Sequence, residues 1–195
     1  MARRRIGVLA VQGDFREHIA ALKRAGADAV PVKRANEILS CDGLVIPGGE
    51  STTIGILCQR FGLGDAIVEL HRSGRAIWGT CAGLILLAKE IVASKQWRLG
   101  IMDIEVARNA FGRQVDSFEA DLDFAGIEGG PVRAVFIRAP YVTRVWADVQ
   151  VLATFQDKIV AVRQGNLLGT AFHPELTDDL RVQEYFLGMV EEGLC

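Results

Sequence analysis

Ala76-Ile77-Trp78-Gly79-Thr80-Cys81-Ala82-Gly83-Leu84 is the stretch on which the reading of the fold turns. Ala76 to Gly79 is an apolar run of strand length, and Ala82 to Glu90 continues it as a strongly apolar helix. Between them sits one thiol with glycines two residues before and two after, the pattern G-x-C-x-G. Glycines at those positions permit a tight, strained strand-to-helix turn that presents the side chain at the carboxyl end of a sheet. The start of the helix favours negative charge there, and the Ala82 amide is placed to donate to an oxyanion. For this elbow alone, a buried inert cysteine is the competing reading.

Working outward, the same alternation repeats. Ile6 to Val11, Ala29 to Val32 and Gly43 to Ile46 read as strands, closed in the last case by Pro47-Gly48-Gly49. Phe15 to Ala25 reads as an amphipathic helix on Phe15, Ile19 and Leu22, ended by Gly26. Asn36 to Leu39 reads as a short helical turn, Ser51 as the cap of a helix, and Gly64 to Arg72 as another helix. Three βα units in series predict an α/β protein with a mostly parallel sheet and helices on its faces. The second half changes character. Asp103 to Ala107, Val132 to Ile137, Val149 to Phe155, Ile159 to Arg163 and Leu167 to Phe172 read as short strands of an antiparallel extension, and Asp178 to Glu191 as a closing helix.

The 195 residues make one domain's worth of chain, half of it apolar, enough to bury a core without a staple. Lys and Arg number 22 against 24 Asp and Glu, so no global positive field exists to hold a nucleic acid. Cys41, Cys58, Cys81 and Cys195 form no CxxC pair and no disulfide framework, which points to a reducing cytoplasm and away from a zinc site. The apolar run after Arg3-Arg4-Arg5 is too short for a signal peptide, and no stretch reaches membrane-spanning length.

A thiol nucleophile needs an imidazole base, and the sequence holds three histidines. His18 lies among Arg16, Glu17 and Ala20 and is expected to decorate a surface helix; His71 suits a helix C-terminus as a partly positive ring. His173 ends an apolar run, is pushed extended by Pro174, and has Glu175 two residues on, on the same side of an extended chain. Glu175 can thus orient His173 toward Cys81. His-Pro-Glu by itself fits a loop histidine equally well; together with the elbow it favours catalysis. Pro47-Gly48-Gly49-Glu50-Ser51-Thr52 is either an anion-binding helix start or a plain turn capped by Ser51, and it lacks the lysine of a nucleotide-binding loop. Gln12-Gly13 falls on the same expected rim. Arg108 and Arg138, near strand ends, are candidate partners of a substrate carboxylate or solvated charges.

Gly79-Thr80-Cys81-Ala82-Gly83 with His173-Pro174-Glu175 resembles the class I, triad-type glutamine amidotransferases, a flavodoxin-like fold. Pro47 to Thr52, Arg108-Asn109-Ala110-Phe111-Gly112-Arg113-Gln114 with Ser117-Phe118-Glu119, Phe136 to Pro140 and His173 to Thr177 are similar to the glutaminase subunits of pyridoxal 5'-phosphate synthases. The likeness spans nearly the whole chain and implies one glutaminase domain over residues 1 to 195. Departures fall in connections near Gln96 to Arg98, Ala125 to Pro131 and Val142 to Val149, expected to affect partner contacts more than chemistry.

The resemblance implies hydrolysis of L-glutamine to glutamate, with the ammonia passed to a synthase subunit that builds pyridoxal 5'-phosphate. It implies Cys81 as nucleophile, His173 as base then acid, and Glu175 as its orienting partner. Gly49, Glu50, Ser51, Arg108, Ile137 and Arg138 match glutamine-binding positions, with the Gly49 and Ala82 amides as oxyanion donors. Gln12 and Gly13 match a loop that responds to docking. It further implies no metal or organic cofactor, and twelve glutaminase chains around a twelve-subunit synthase core. A glutaminase serving another pathway, such as imidazole glycerol phosphate synthesis, a thiol hydrolase of similar architecture, and a binding subunit with a vestigial Cys81 are the alternatives.

Overall fold

The computed structural model describes residues 3–108, 117–146 and 148–194. In chain order the first half runs β1 (Arg5–Leu9), α1 (Phe15–Arg24), β2 (Asp28–Val32), α2 (Ala35–Leu39), β3 (Gly43–Ile46), α3 (Ser51–Arg60), α4 (Leu63–Arg72), β4 (Ala76–Thr80) and α5 (Ala82–Leu87). The turn expected at Asn36 to Leu39 is a helix, so four strands are each followed by helix rather than three. The second half runs β5 (Ala88–Ile91), β6 (Met102–Ala107), β7 (Ser117–Leu122), β8 (Val132–Ile137), β9 (Tyr141–Val145), β10 (Gln150–Phe155), β11 (Lys158–Gln164) and β12 (Leu167–Thr170). A single 3-10 turn, Pro174–Leu176, and α6 (Arg181–Glu192) follow.

Among the described residues the main sheet has ten strands in the order β2-β1-β3-β4-β12-β11-β9-β6-β5, with β10 also on β11. Pairing is parallel from β2 through β12 and again between β5 and β6. It is antiparallel where β11 meets β12, β9 and β10, and where β6 meets β9. Every residue of β3 and β4 is buried, as strands covered on both faces require. Successive residues of β4 show the two coverings. Trp78 meets Phe186 of α6 with ring centroids 5.5 Å apart, whereas a Cβ on Gly79 would stand 2.5 Å from the backbone of Gly83 in α5. The sheet is thus the middle of three layers, the fold class the sequence predicts.

Three local expectations are corrected. The helix predicted over Ala82 to Glu90 stops at Leu87; Ala88 turns extended and begins β5, whose outer residues are buried while Lys89 and Glu90 face solvent. The apolar count there cannot separate helix from buried strand. β7 and β9 were absent from the sequence reading: β7 is half solvent-facing and β9 carries Thr143 and Arg144 outward, so neither shows a continuous apolar run. β7 and β8 form a separate antiparallel ribbon, seated through Phe136 on Phe172 at 5.7 Å.

Candidate active site

The loops that follow β1, β3, β4 and β12 converge at the carboxyl edge of the parallel strands, where ligand sites of open α/β sheets lie. Cys81 stands between β4 and α5 with φ 49° and ψ −100°, a left-handed backbone that a side-chain-bearing residue adopts only under constraint. Both flanking glycines are needed for that constraint. A Cβ at Gly83 would lie 2.1 Å from the Ile46 carbonyl oxygen, and one at Gly79 would strike Gly83 itself. Strands, helix and elbow therefore pack too closely for any side chain at either position.

Cys81 is 8% exposed, at the floor of a cavity of about 450 Å³. His173, 3% exposed, lines the same cavity as Cys81, whose sulfur lies 4.0 Å from the Ile137 carbonyl oxygen. The His173 backbone amide donates to the Val135 carbonyl at 2.8 Å, fixing the residue against β8. Its Nδ1–H donates to Glu175 Oε1 at 2.7 Å. Burial opposes charge on His173, but its bond to Glu175 and the neighbouring Cys81 outweigh it and push its pKa up to about 10. Burial likewise opposes charge on Glu175, yet the neighbouring His18 and His173 hold its pKa below the ordinary value. The three predicted catalytic side chains are thus brought together in series.

Gly49, Glu50, Ser51, Ala82, Ile137 and Arg138 all line the cavity, as do Arg108 and Gln12. Glu50 and Ser51 exchange one expected role. Glu50, not Ser51, caps α3: its carboxylate accepts from the Thr52 and Thr53 amides at 3.0 and 2.7 Å. Those bonds hold its pKa down at about 2 despite some burial. A glutamate reaches those amides as well as a serine does and adds charge favourable to the helix dipole. Gln12 joins two rim loops, its Oε1 accepting from the Glu50 amide at 2.9 Å, while the Asp14 amide donates to the Gly48 carbonyl at 3.0 Å. Gly13 is held so closely that a Cβ would stand 1.9 Å from the Gly48 oxygen.

Two residues were missed. Gln96, placed among connections peripheral to the chemistry, accepts from Arg108 Nη1 at 2.6 Å and donates from Nε2 to Ser51 Oγ at 3.1 Å. It therefore sets the direction of Arg108. His18, expected on a surface, is completely buried beside Glu175. Its signal was present: Phe15, His18 and Leu22 share the three-to-four spacing, and α1 buries His18, Ala21 and Leu22. The third histidine, His71, lies in the last turn of α4 as expected, and burial lowers its pKa, which opposes the partly positive ring. Residues Asn109 to Gln114 of the family-like run lie outside the described residues.

Asp14, His173 and Glu175 are, among the described residues, the one trio with metal-ligating atoms in mutual reach. Within that trio His173 Nδ1 and Glu175 Oε1 are bonded to each other at 2.7 Å.

A thiol on a strained elbow, an imidazole backed by a carboxylate, and two arginines share one cavity at the sheet edge, the arrangement of side chains that nucleophilic amide hydrolysis uses in α/β proteins. The profile of the SNO glutamine amidotransferase family matches residues 8–192, and the chain belongs to that family. A relative from Moorella thermoacetica named pyridoxal 5'-phosphate synthase subunit PdxT is 56% identical over 95% of this chain and 99% of its own. One of the same name from Carboxydothermus hydrogenoformans is 57% identical over 97% of this chain and 100% of its own. A solved structure described as a glutamine amidotransferase superposes with a TM-score of 0.91 at 50% identity, over 95% of this chain and 98% of that one. PurLQS from Thermotoga maritima, at 17% identity and a TM-score of 0.70, shares the fold.

Proposed function

We propose that this chain is the glutaminase subunit of a pyridoxal 5'-phosphate synthase, hydrolysing L-glutamine to L-glutamate and ammonia and passing the ammonia to a synthase subunit. The observation that carries the chemistry is the Cys81–His173–Glu175 series opening into a cavity rimmed by Arg108 and Arg138. Identity above one half to proteins of that name, over nearly full length, supports the pathway.

Glutamine enters with its carboxylate toward the arginines and its amide toward Cys81. His173 already holds the proton shared between thiol and imidazole, and the sulfur so freed attacks the amide carbon. The tetrahedral oxyanion is received by the Gly49 and Ala82 amides. His173, strongly inclined to hold a proton, gives it to the departing nitrogen, and ammonia leaves a glutamyl thioester. His173 then takes a proton from water, the hydroxide adds to the thioester, and glutamate is released with the thiol restored. Ser51 and the Glu50 backbone line the substrate's path, the Glu50 carboxylate being engaged in the α3 cap, and Ile137 supplies the apolar wall. Neither metal nor organic cofactor takes part.

The Gln12–Gly13 loop couples docking to catalysis: a partner that moves Gln12 moves the peptide at Gly49 and Glu50 through their shared hydrogen bond. Twelve such chains, each one glutaminase domain over residues 1–195, surround a twelve-subunit synthase core in the cytoplasm. The unpaired thiols of Cys41, Cys58 and Cys81 support a reducing compartment, and no helix among the described residues is long and apolar enough to cross a membrane. The test is glutamate release by the purified chain, alone and with a pyridoxal 5'-phosphate synthase subunit. Release that rises with the partner and vanishes in Cys81→Ala is expected; equal silence of both proteins with a competent partner would overturn the assignment.

A further inference from the structure

We infer that His18 is a positioning residue of the site, a fourth member that ties the Glu175 carboxylate to the strand carrying Cys81. The inference rests on the triad reading. His18 Nε2 lies 2.9 Å from Thr80 Oγ1 and 3.3 Å from Glu175 Oε1, in a pocket closed to solvent. Thr80 is the residue before the nucleophile. One ring nitrogen therefore touches both ends of the site: the last residue of β4 and the carboxylate that orients His173.

The protonation of the ring follows from its partners. Among the described residues Nδ1 is buried without a hydrogen-bond partner. A proton on Nδ1 would leave an unmet buried donor and point the Nε2 lone pair at a carboxylate oxygen, two unfavourable contacts. A proton on Nε2 lets that group donate to Thr80, places the N–H against the Glu175 carboxylate, and leaves only an acceptor unmet. Burial lowers the His18 pKa, against the attraction of Glu175, so the ring is a neutral donor. Other charges facing it are His173, Asp14 and Glu17. Trp78 meets the ring edge-on at 5.5 Å and fixes its plane.

Glu175 Oε1 thus accepts from His173 and faces His18 Nε2 at 3.3 Å, while Oε2 has no hydrogen-bond partner among the described residues. Without His18 the carboxylate loses the ring N–H that faces Oε1 at 3.3 Å and favours its ionised, aligned state. Glutaminase activity that requires ionised Glu175 then fails at a higher pH on the acid side.

The experiment compares His18→Leu and His18→Gln with wild type, assayed for glutamate release with the synthase partner across pH. Glutamine carries a donor near the Nε2 position; leucine carries none. His18→Leu is expected to lower kcat about tenfold with little change in KM and to move the acid limb upward, as loss of a donor that aligns the general base implies. His18→Gln is expected to restore most of the rate and the limb. A folded His18→Leu with wild-type kcat and pH profile, or a His18→Gln as impaired as leucine, overturns the inference. Loss of activity in Cys81→Ala and Glu175→Gln within the same series keeps that outcome separate from failure of the triad itself. Nitrogen-15 resonances of His18 in the wild-type protein supply a check free of variants: a neutral ring protonated on Nε2 is expected, and a charged or Nδ1-protonated ring overturns it.

Discussion

Gly48→Ala tests how rigidly the base is held. Gly48 has a backbone outside the left-handed region, so alanine meets no conformational penalty there. Its Cβ, however, would stand 2.4 Å from His173 Cε1, 3.1 Å from Nδ1 and 3.2 Å from Asp14 Oδ2. Restoring ordinary contact at about 3.4 Å moves the imidazole by about 1 Å, since packed interiors yield little elsewhere. The His173–Glu175 bond of 2.7 Å cannot absorb that displacement without leaving hydrogen-bonding range. A misplacement of about 1 Å in a catalytic group lowers the rate about 100-fold, or about 2.7 kcal/mol in the barrier. Steady-state glutamate release with partner present should show this loss in kcat, while KM stays within about twofold, since the substitution leaves the proposed substrate-binding arginines untouched. Circular dichroism establishes that the variant is folded. A folded Gly48→Ala with kcat within about threefold of wild type would refute the reasoning, for the ring would then slide without consequence.

Three further outcomes are expected. Gln96→Ala frees Arg108 from its 2.6 Å acceptor and should raise KM for glutamine about tenfold with kcat nearly unchanged, read from the same assay; an unaltered KM would remove Gln96 from substrate recognition. Glu50→Ala deletes the α3 cap and should cost about 1 kcal/mol in urea unfolding at pH 7. Because the folded pKa of Glu50 is depressed, its contribution is complete above 4.5 and disappears as pH falls toward 2, so wild type and variant should converge in that window. Gly188→Ala, inside α6 where an added Cβ meets nothing within 4 Å, should stabilise by about 0.5–1 kcal/mol, seen as a rise in Tm; a fall would mean an unfavourable contact there.

The fold was legible wherever one property decided it. β3 and β4 are buried on both faces, so their apolar runs are unbroken, and the glycines at 79 and 83 announce the turn between β4 and α5. β7 and β9 face water on one side and lean on contacts far along the chain, which local pattern does not carry. His173 and Glu175 were legible because their relation is two residues long. His18 and Gln96 reach the site only through tertiary packing, from α1 and from the segment between β5 and β6. A histidine in a helix also reads as polar even when, as here, its spacing places it on the inner stripe.

The position of β12 in the sheet governs when this chemistry can exist. β12 is inserted between β4 and β11, directly beside the strand that ends at the nucleophile, although many strands separate the two in the chain. A nascent chain that has made β4 therefore holds a cysteine with no base, no carboxylate and a bare strand edge. The backbone amide of Cys81 is itself bonded to Thr170 of β12, at 2.8 Å, so the elbow is latched by the strand that delivers His173. Closing the sheet and arming the thiol are one event. With the proposed chemistry, partly synthesised or partly unfolded copies are therefore expected to release no ammonia.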